Sequence, residues 1–175
     1  MYKKFERERS SAMEESNIVV STVMHLVQHY NPKKYWKMRS IVIDPNNKTP
    51  RIIKLWYFFR IKRMDAYNNA SMGTSIGSGA HFDSPPILYH GLNGIIVSHF
   101  ATIGKNCIIN QQVTIAGGKQ AESVTIGDNC MIGAGAKIIG PCKIGNNVKI
   151  GANAVVAKDV PDNCTVVGTM RIIQH

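Results

Sequence analysis

An aliphatic residue recurs at every sixth position along the second half of this chain, and this repeat limits the fold more than any other feature. The spacing of six holds from Val97 to Ile115 and again from Ile126 to Val156, and the next position is almost always small or Asn. The aliphatic positions are Val97, Ile103, Ile109, Ile115, Ile126, Ile132, Ile138, Ile144, Ile150 and Val156. A fixed period indicates a solenoid, and the hexapeptide form predicts a parallel β-helix.

Each six-residue repeat supplies one short strand and one corner, so that three repeats build one triangular coil. The aliphatic side chain points inward, while the corner requires a residue that tolerates tight or left-handed backbone angles, such as Gly or Asn. Cys107, Cys130 and Cys142 fall at a second inward position, four residues after an aliphatic one. Because the chain has no C-x-x-C spacing, we expect core thiols and no metal site.

The repeat is interrupted between Ile115 and Ile126, which lie 11 residues apart instead of six. Five residues are therefore looped out within 116–124, a segment that begins with Ala, Gly, Gly and Lys. A break in an otherwise strict solenoid is a place where functional residues are expected.

The front of the chain has a different character, with 14 Lys and Arg against 6 Asp and Glu in residues 1–65. We therefore predict two parts, a basic and mostly helical region 1–70 and a β-helix domain 71–175. The charged N-terminus lacks the apolar core of a secretion signal, which predicts a cytoplasmic protein. The segment 51–63 combines five cations with eight apolar residues, which predicts a packed helix or peripheral contact with the inner face of the membrane.

Three segments of the solenoid carry a family resemblance: His90–Val97, Val113–Lys119 and Met131–Gly140. They resemble the serine acetyltransferase-like branch of the hexapeptide-repeat acyltransferases, over roughly residues 66–173. The resemblance implies a left-handed β-helix, a homotrimer with active sites between subunits, and acetyl-CoA as the acetyl donor. The segment 82–86 is more similar to relatives that acetylate sugars in capsule and exopolysaccharide assembly.

Two departures from the serine acetyltransferases bear on the acceptor. Asn69 stands where they carry an Asp, and residues 121–124 replace their Arg-His-Pro segment. We therefore expect an O-acetyltransferase that acts on a sugar or polysaccharide precursor, soluble or lipid-linked. The alternatives are a serine O-acetyltransferase of cysteine biosynthesis and a non-catalytic trimeric scaffold.

Transfer to an alcohol requires a general base, because a hydroxyl is a poor nucleophile at neutral pH. His90 matches the catalytic histidine of the family and is the predicted base for direct attack on the thioester. A partner that orients the imidazole completes such a site, and Asp83 and Asn69 are the two candidates. His99 and Tyr89 are the predicted acceptor-binding residues.

Further residues are predicted to bind the coenzyme. The glycines of the looped-out segment let the pantetheine arm run close to the backbone, the alanines match the family's coenzyme channel, and a lysine can meet phosphate. The set is Gly117, Gly118, Lys119, Ala134, Ala136 and Lys158.

Two other functions have little in the sequence to favour them. A zinc carbonic anhydrase on the same solenoid needs closely spaced histidines, but the repeats contain His99 alone, with His81 and His90 upstream. We therefore expect no metal. Nucleic-acid binding has only the net charge of +10 in its favour, so we expect no nucleic-acid partner.

Overall fold

Three parallel sheets wind around one axis in the computed structural model, which describes residue 27, residues 29–118 and residues 123–168. We number the strands along the chain and call the sheets faces 1, 2 and 3, in the order in which each coil visits them. Face 1 contains β4 (His81–Phe82), β6 (Thr102–Ile103), β9 (Val124–Ile126) and β12 (Cys142–Ile144). Face 2 contains β7 (Ile108–Ile109), β10 (Met131–Ile132), β13 (Lys149–Ile150) and β15 (Thr165–Val166). Face 3 contains β1 (Ser71–Met72), β5 (Ile96–Val97), β8 (Thr114–Ala116), β11 (Lys137–Ile139) and β14 (Val155–Val156).

The strand register confirms both the repeat and its interruption. Lys137 pairs with Val155, a separation of 18 residues, which is three hexapeptides. Across the looped-out segment Thr114 pairs with Lys137, a separation of 23, so five residues are extra as predicted. All ten repeated aliphatic side chains are buried, with at most 3% of their surface exposed. The architecture of about four turns agrees with the predicted left-handed parallel β-helix.

Three corners separate the faces, and we call the one between faces 1 and 2 the first corner. Asn106, Asn129, Asn147 and Asn163 occupy its left-handed positions, with φ between 55° and 59°. Each backbone N–H in the lower three donates to the coil above, for example Asn129 N to Lys105 O at 2.8 Å. Side-chain amides add further hydrogen bonds between coils; for example, Asn147 Nδ2 donates to Asn163 Oδ1 at 3.0 Å. The first corner is therefore a hydrogen-bonded ladder of asparagines.

The small residue that follows each aliphatic position has a different role from the one predicted. Gly127 does not have a left-handed φ; that conformation falls two residues later, at Asn129. A Cβ atom at Gly127 would lie 2.9 Å from the carbonyl carbon and oxygen of Gly145 in the next coil. Close approach of consecutive coils therefore demands glycine here, and the Asn supplies the left-handed turn.

Within residues 29–70, the helices α1 (Pro32–Ile43) and α2 (Arg51–Tyr67) precede the solenoid. Asn31 caps α1 by accepting a hydrogen bond from Lys34 N at 3.0 Å, and Pro32 occupies the first turn. Between β1 and β4 the chain forms a small antiparallel hairpin of β2 (Thr74–Ser75) and β3 (Ser78–Gly79). Within the described part of the chain, no helix is long and apolar enough to cross a membrane.

A buried polar cluster joins the helices to the first coil. Arg39 of α1 is 2% exposed and donates to Thr74 Oγ1 at 3.1 Å, to Met72 O at 3.1 Å and to Ala80 O at 2.6 Å. These carbonyls lie at the open end of the solenoid, where no earlier coil supplies donors. Arg39 therefore satisfies acceptors that would otherwise be buried without a partner.

Candidate active site

His90 lies at the second corner, between faces 2 and 3, where the first coil carries extra residues. Ile87 pairs with Ile108 on face 2, and Ile96 pairs with Thr114 on face 3. Ile87 and Ile96 of the upper coil are nine residues apart, whereas their partners in the coil below are six residues apart. The upper coil therefore carries three inserted residues. We call residues 88–94 the His90 corner.

Two consecutive turns shape the His90 corner. Gly91 N donates to Leu88 O at 3.2 Å, and Ile95 N donates to Leu92 O at 2.9 Å. Leu92 is fully buried and anchors the corner in the core, while His90 is exposed. The His90 ring makes no hydrogen bond to the described residues, so both ring nitrogens can reach a substrate.

Asn69 lies at the same corner, one level above. It adopts a left-handed backbone with φ 50° and is exposed, and the carbonyl of its neighbour Asn68 accepts a hydrogen bond from Gly94 N at 2.9 Å. The structure therefore brings Asn69 to the corner that carries the predicted base. No hydrogen bond links the two side chains.

Asp83 has a different partner from the one predicted. It follows β4 at the first corner, on the other side of face 2 from His90, and Oδ1 lies 2.8 Å from His81 Nε2. The carboxylate thus pairs with His81 of the same coil and does not orient the His90 ring within one chain. An imidazole held by a carboxylate can act as a proton acceptor at its other nitrogen.

The third corner, between faces 3 and 1, brings together His99 and the glycines of the looped-out segment. Gly117 and Gly118 follow β8, directly below the residues that follow β5. Ser98 Oγ donates to Gly117 O at 3.3 Å, and the His99 ring packs edge-on against Phe100 at 4.8 Å between centroids. Lys119, also predicted at this loop, lies outside the described residues.

The remaining predicted coenzyme residues divide between these corners. Ala134 is half-buried at the second corner, and Lys158 is exposed at the third. Ala136 is fully buried, its N–H donates to Gly133 O, and its carbonyl accepts from Thr114 N. Its side chain is therefore unavailable to a coenzyme, which corrects the prediction for this residue.

The predicted residues thus occupy two parallel edges of the prism. Tyr89, His90 and Asn69 lie on one edge, and His99 and Gly117 lie on the other, with face 3 between them. Tyr89 is 48% exposed beside His90. Within one chain these edges are separate, so a site that uses both must be assembled with a second copy.

Sequence reasoning missed two features of this region. The three-residue insertion is visible only once the pairing is known, because Ile87 lies in a segment whose repeat is irregular. The His81–Asp83 pair was missed because a side chain of a strand seldom bonds to that of the residue just after the strand.

The described residues contain no group of three or more His, Cys, Asp or Glu side chains arranged to hold a metal ion. The segment 51–63 lies wholly within α2 and exposes apolar side chains at helical spacing, including Ile52 at 76% and Phe59 at 61%. Arg60 covers the Trp56 ring, with its guanidinium carbon 5.2 Å from the centroid.

Known proteins resemble the chain in both sequence and fold. Residues 123–158 match the family "Bacterial transferase hexapeptide (six repeats)". A serine acetyltransferase of Synechococcus elongatus is 43% identical over 99 residues, covering 55% of this chain and 40% of the relative. One of Staphylococcus aureus (strain Mu50) is 38% identical over 149 residues, covering 82% of this chain and 59% of the relative. A solved serine acetyltransferase in complex with CoA has a TM-score of 0.58 at 25% identity, over 76% of this chain and 51% of that one.

In its repeats, its triangular solenoid and these matches, the chain is similar to the hexapeptide-repeat acyltransferases. Within that class, the similar proteins are named serine acetyltransferases, and a closer relation to the capsule O-acetyltransferases has no support. The chain spans about half the length of the curated relatives it matches, 40% of one and 59% of the other.

Proposed function

We propose that this protein transfers an acetyl group from acetyl-CoA to the hydroxyl group of L-serine. The observation that carries the proposal is the 38% identity to a serine acetyltransferase over 149 residues, which extends across 82% of the chain. The prediction of a sugar acceptor was wrong: the matching proteins are serine acetyltransferases, as the alternative reading expected. The Phe82–Pro86 segment was too short to carry a choice of acceptor.

The proposed reaction is a direct transfer within a ternary complex. His90 accepts the hydroxyl proton as the serine oxygen attacks the thioester carbonyl, and the C–S bond then breaks. The proton passes from His90 to the departing thiolate, which leaves as the free thiol of CoA. The exposed, unpaired ring of His90 suits this role, because a base must be free to meet its substrate.

Backbone groups of the third corner are proposed to hold the coenzyme. Gly117 and Gly118 leave space for the pantetheine arm beside the chain, and Lys158 is the proposed phosphate contact. His99, in the same corner, is proposed to line the cleft together with Tyr89 from the opposite edge. Asn69 is proposed to orient His90, since a neutral amide can direct the ring without carrying charge.

A homotrimer is part of the proposal, because the two groups of site residues flank face 3 from opposite edges. Docking of one subunit's third corner against a neighbour's second corner would unite them.

We also propose the division into a helical part, 1–70, and a β-helix part, 71–175. Membrane contact through 51–63 has no support among the relatives and is not proposed.

The test is release of CoA thiol from acetyl-CoA by the purified protein, measured with a thiol reagent. L-serine is compared with sugars, nucleotide sugars and no acceptor, and formation of O-acetylserine is checked by mass spectrometry. We expect turnover with serine well above the hydrolysis background. Turnover with a sugar and not with serine would overturn the proposed acceptor, and absence of both turnover and coenzyme binding would favour a scaffold.

A further inference from the structure

We infer that the hydrogen bond between Tyr35 and Asp65 is a positioning contact, which holds the His90 corner in place through the C-terminal end of α2. Tyr35 Oη of α1 donates to Asp65 Oδ1 of α2 at 2.7 Å. Tyr35 is fully buried and Asp65 is 3% exposed, so this bond is shielded from water. A buried hydrogen bond to a carboxylate is shorter and stronger than a neutral one.

Asp65 lies at the point where α2 ends and the chain turns into the solenoid. Its backbone carbonyl accepts hydrogen bonds from Asn68 N at 3.1 Å and from Ala70 N at 2.8 Å. Asn68 also donates through Nδ2 to Met64 O at 2.8 Å. The backbone of Asp65 therefore closes the final turn of the helix, and its side chain fixes that turn against α1.

The closed turn then holds the His90 corner. Asn68 O accepts a hydrogen bond from Gly94 N at 2.9 Å, and Gly94 is the last residue of the inserted corner. On the lower side, Asn93 O accepts from Gln112 N at 2.9 Å. These two bonds tie the end of the corner to its neighbours above and below, and the upper one depends on where α2 ends.

Elsewhere in the solenoid, a complete coil supplies this support. Gly135 N, one coil below Gln112, donates to Gln111 O at 3.0 Å, and Asn153 N donates to Ala134 O at 2.8 Å. The first coil has no such coil above it, and the helix end stands in its place. Consequently the helical pair supports from above the corner that carries the predicted base, His90.

The groups around the Tyr35–Asp65 hydrogen bond favour a fixed position for the Asp65 side chain. Asp65 Oδ2 accepts no hydrogen bond from the described residues and faces Lys62 Nζ at 3.9 Å, so Tyr35 is its principal side-chain donor. Burial raises the pKa of Asp65 to about 6. Loss of the tyrosine hydroxyl would leave this carboxylate with only the backbone N–H of Met72 and the charges of Lys62 and Arg39, and would free the last turn of α2 to shift.

The experiment combines hydrogen exchange with kinetics on the full chain. Tyr35→Phe removes the donor, and we expect amides in the peptide 88–97 to exchange several-fold faster, while peptides from β10 and β13 are unchanged. The kinetic arm rests on the proposed function. There we expect kcat for acetyl transfer to L-serine to fall about tenfold with KM for acetyl-CoA within twofold, because a small displacement of a base is costly.

Two further variants separate positioning from stability. Asp65→Asn keeps an oxygen that accepts from Tyr35, so we expect exchange of peptide 88–97 and kcat to stay near wild type. The double variant Tyr35→Phe with Asp65→Leu removes both polar partners, which restores apolar packing, and we expect a stable protein that still exchanges quickly at 88–97. Tyr57→Phe, on α2 and outside the contact, is the matched control.

Unchanged exchange at 88–97 in both Tyr35→Phe and the double variant would overturn the inference. So would a uniform rise of exchange throughout the solenoid in the double variant, because that indicates global loosening. If the wild-type protein transfers nothing to serine, the proposed function fails, while the exchange data still decide whether Tyr35 and Asp65 hold the His90 corner.

Discussion

The first and second corners of the prism are made from the same repeat but have become different structures. At the first corner, four asparagines occupy equivalent left-handed positions, and their amides bond from coil to coil. At the second corner the left-handed positions hold Asn69, Gly94, Gln112, Gly135 and Asn153, and three residues are inserted around His90. Uniformity at the first corner links the coils by repeated hydrogen bonds, and irregularity at the second leaves the His90 side chain exposed.

The difference also concerns how each corner is supported. The first corner is closed by its own repeat, since each left-handed Asn N–H below the top one donates to the coil above. The second corner is closed at its top by the end of a helix, through Gly94 N and Asn68 O at 2.9 Å. Changes at the first corner should therefore affect folding, and changes at the second should affect activity.

The largest expected effect is that of His90→Ala on activity. Removal of a general base lowers the rate by about 10²–10⁴-fold, and kcat for acetyl transfer to L-serine should fall in that range. Because His90 is exposed and unpaired, the free energy of unfolding should change by less than about 0.5 kcal/mol. Thiol release and urea denaturation measure the two quantities.

His29→Ala is the matched control, because His29 is also exposed but lies before α1, with its ring 4.0 Å from that of Tyr67. It should retain wild-type turnover. If His90→Ala keeps more than half of the wild-type kcat, the second corner does not carry the base.

The converse change is Gly127→Ala at the first corner. A Cβ atom there would lie 2.6 Å from Asn146 Oδ1 and 2.9 Å from the Gly145 carbonyl, so two coils must separate. We expect a loss of about 3–4 kcal/mol in unfolding free energy, within the range of overpacking and strain. Urea denaturation measures it, and Gly168→Ala, whose added Cβ would meet no atom closer than 3.6 Å and whose φ is likewise not left-handed, is the matched control.

The support of the second corner includes a buried titratable group, Asp65. Burial raises the pKa of Asp65 from 3.8 to about 6, with hydrogen bonding from Tyr35 and the charges of Lys62 and Arg39 opposing the rise. The folded state therefore binds this proton more tightly than the unfolded state, and stability falls as pH rises from about 4 to 6, then levels off.

Asp65→Asn removes this dependence. Relative to wild type, the variant should gain roughly 2–3 kcal/mol in unfolding free energy between pH 4 and pH 7. This is the gain expected when folding raises the pKa of Asp65 from 3.8 to about 6. Urea denaturation at both pH values measures the gain, and Asp44→Asn, at a turn after α1, is the matched control. A constant difference between Asp65→Asn and wild type at the two pH values would show that folding leaves the pKa of Asp65 unchanged.

The regular parts of the molecule were predictable from sequence, because each repeat imposes the same local constraint. The ten buried aliphatic residues, the buried Cys107, Cys130 and Cys142, and the five-residue loop follow from counting. The inserted corner did not follow, since it depends on which strands pair, and the local His81–Asp83 pair leaves no mark on the six-residue repeat. The acceptor could not be predicted, because single substitutions such as Asn69 do not define a binding site.

The smallest predicted effect tests whether the asparagines of the first corner are chosen for backbone conformation or for their amide ladder. Asn147 has φ 56°, and Asn147 Nδ2 donates to Asn163 Oδ1 at 3.0 Å. Asn147→Gly removes the amide but keeps the conformation, whereas Asn147→Ala loses both and costs about 1–2 kcal/mol for a left-handed backbone. If conformation dominates, the glycine variant should unfold within about 0.5 kcal/mol of wild type and the alanine variant about 1 kcal/mol below it. Equal losses in both variants would mean instead that the amide ladder holds this corner, and urea denaturation of the pair decides between the two.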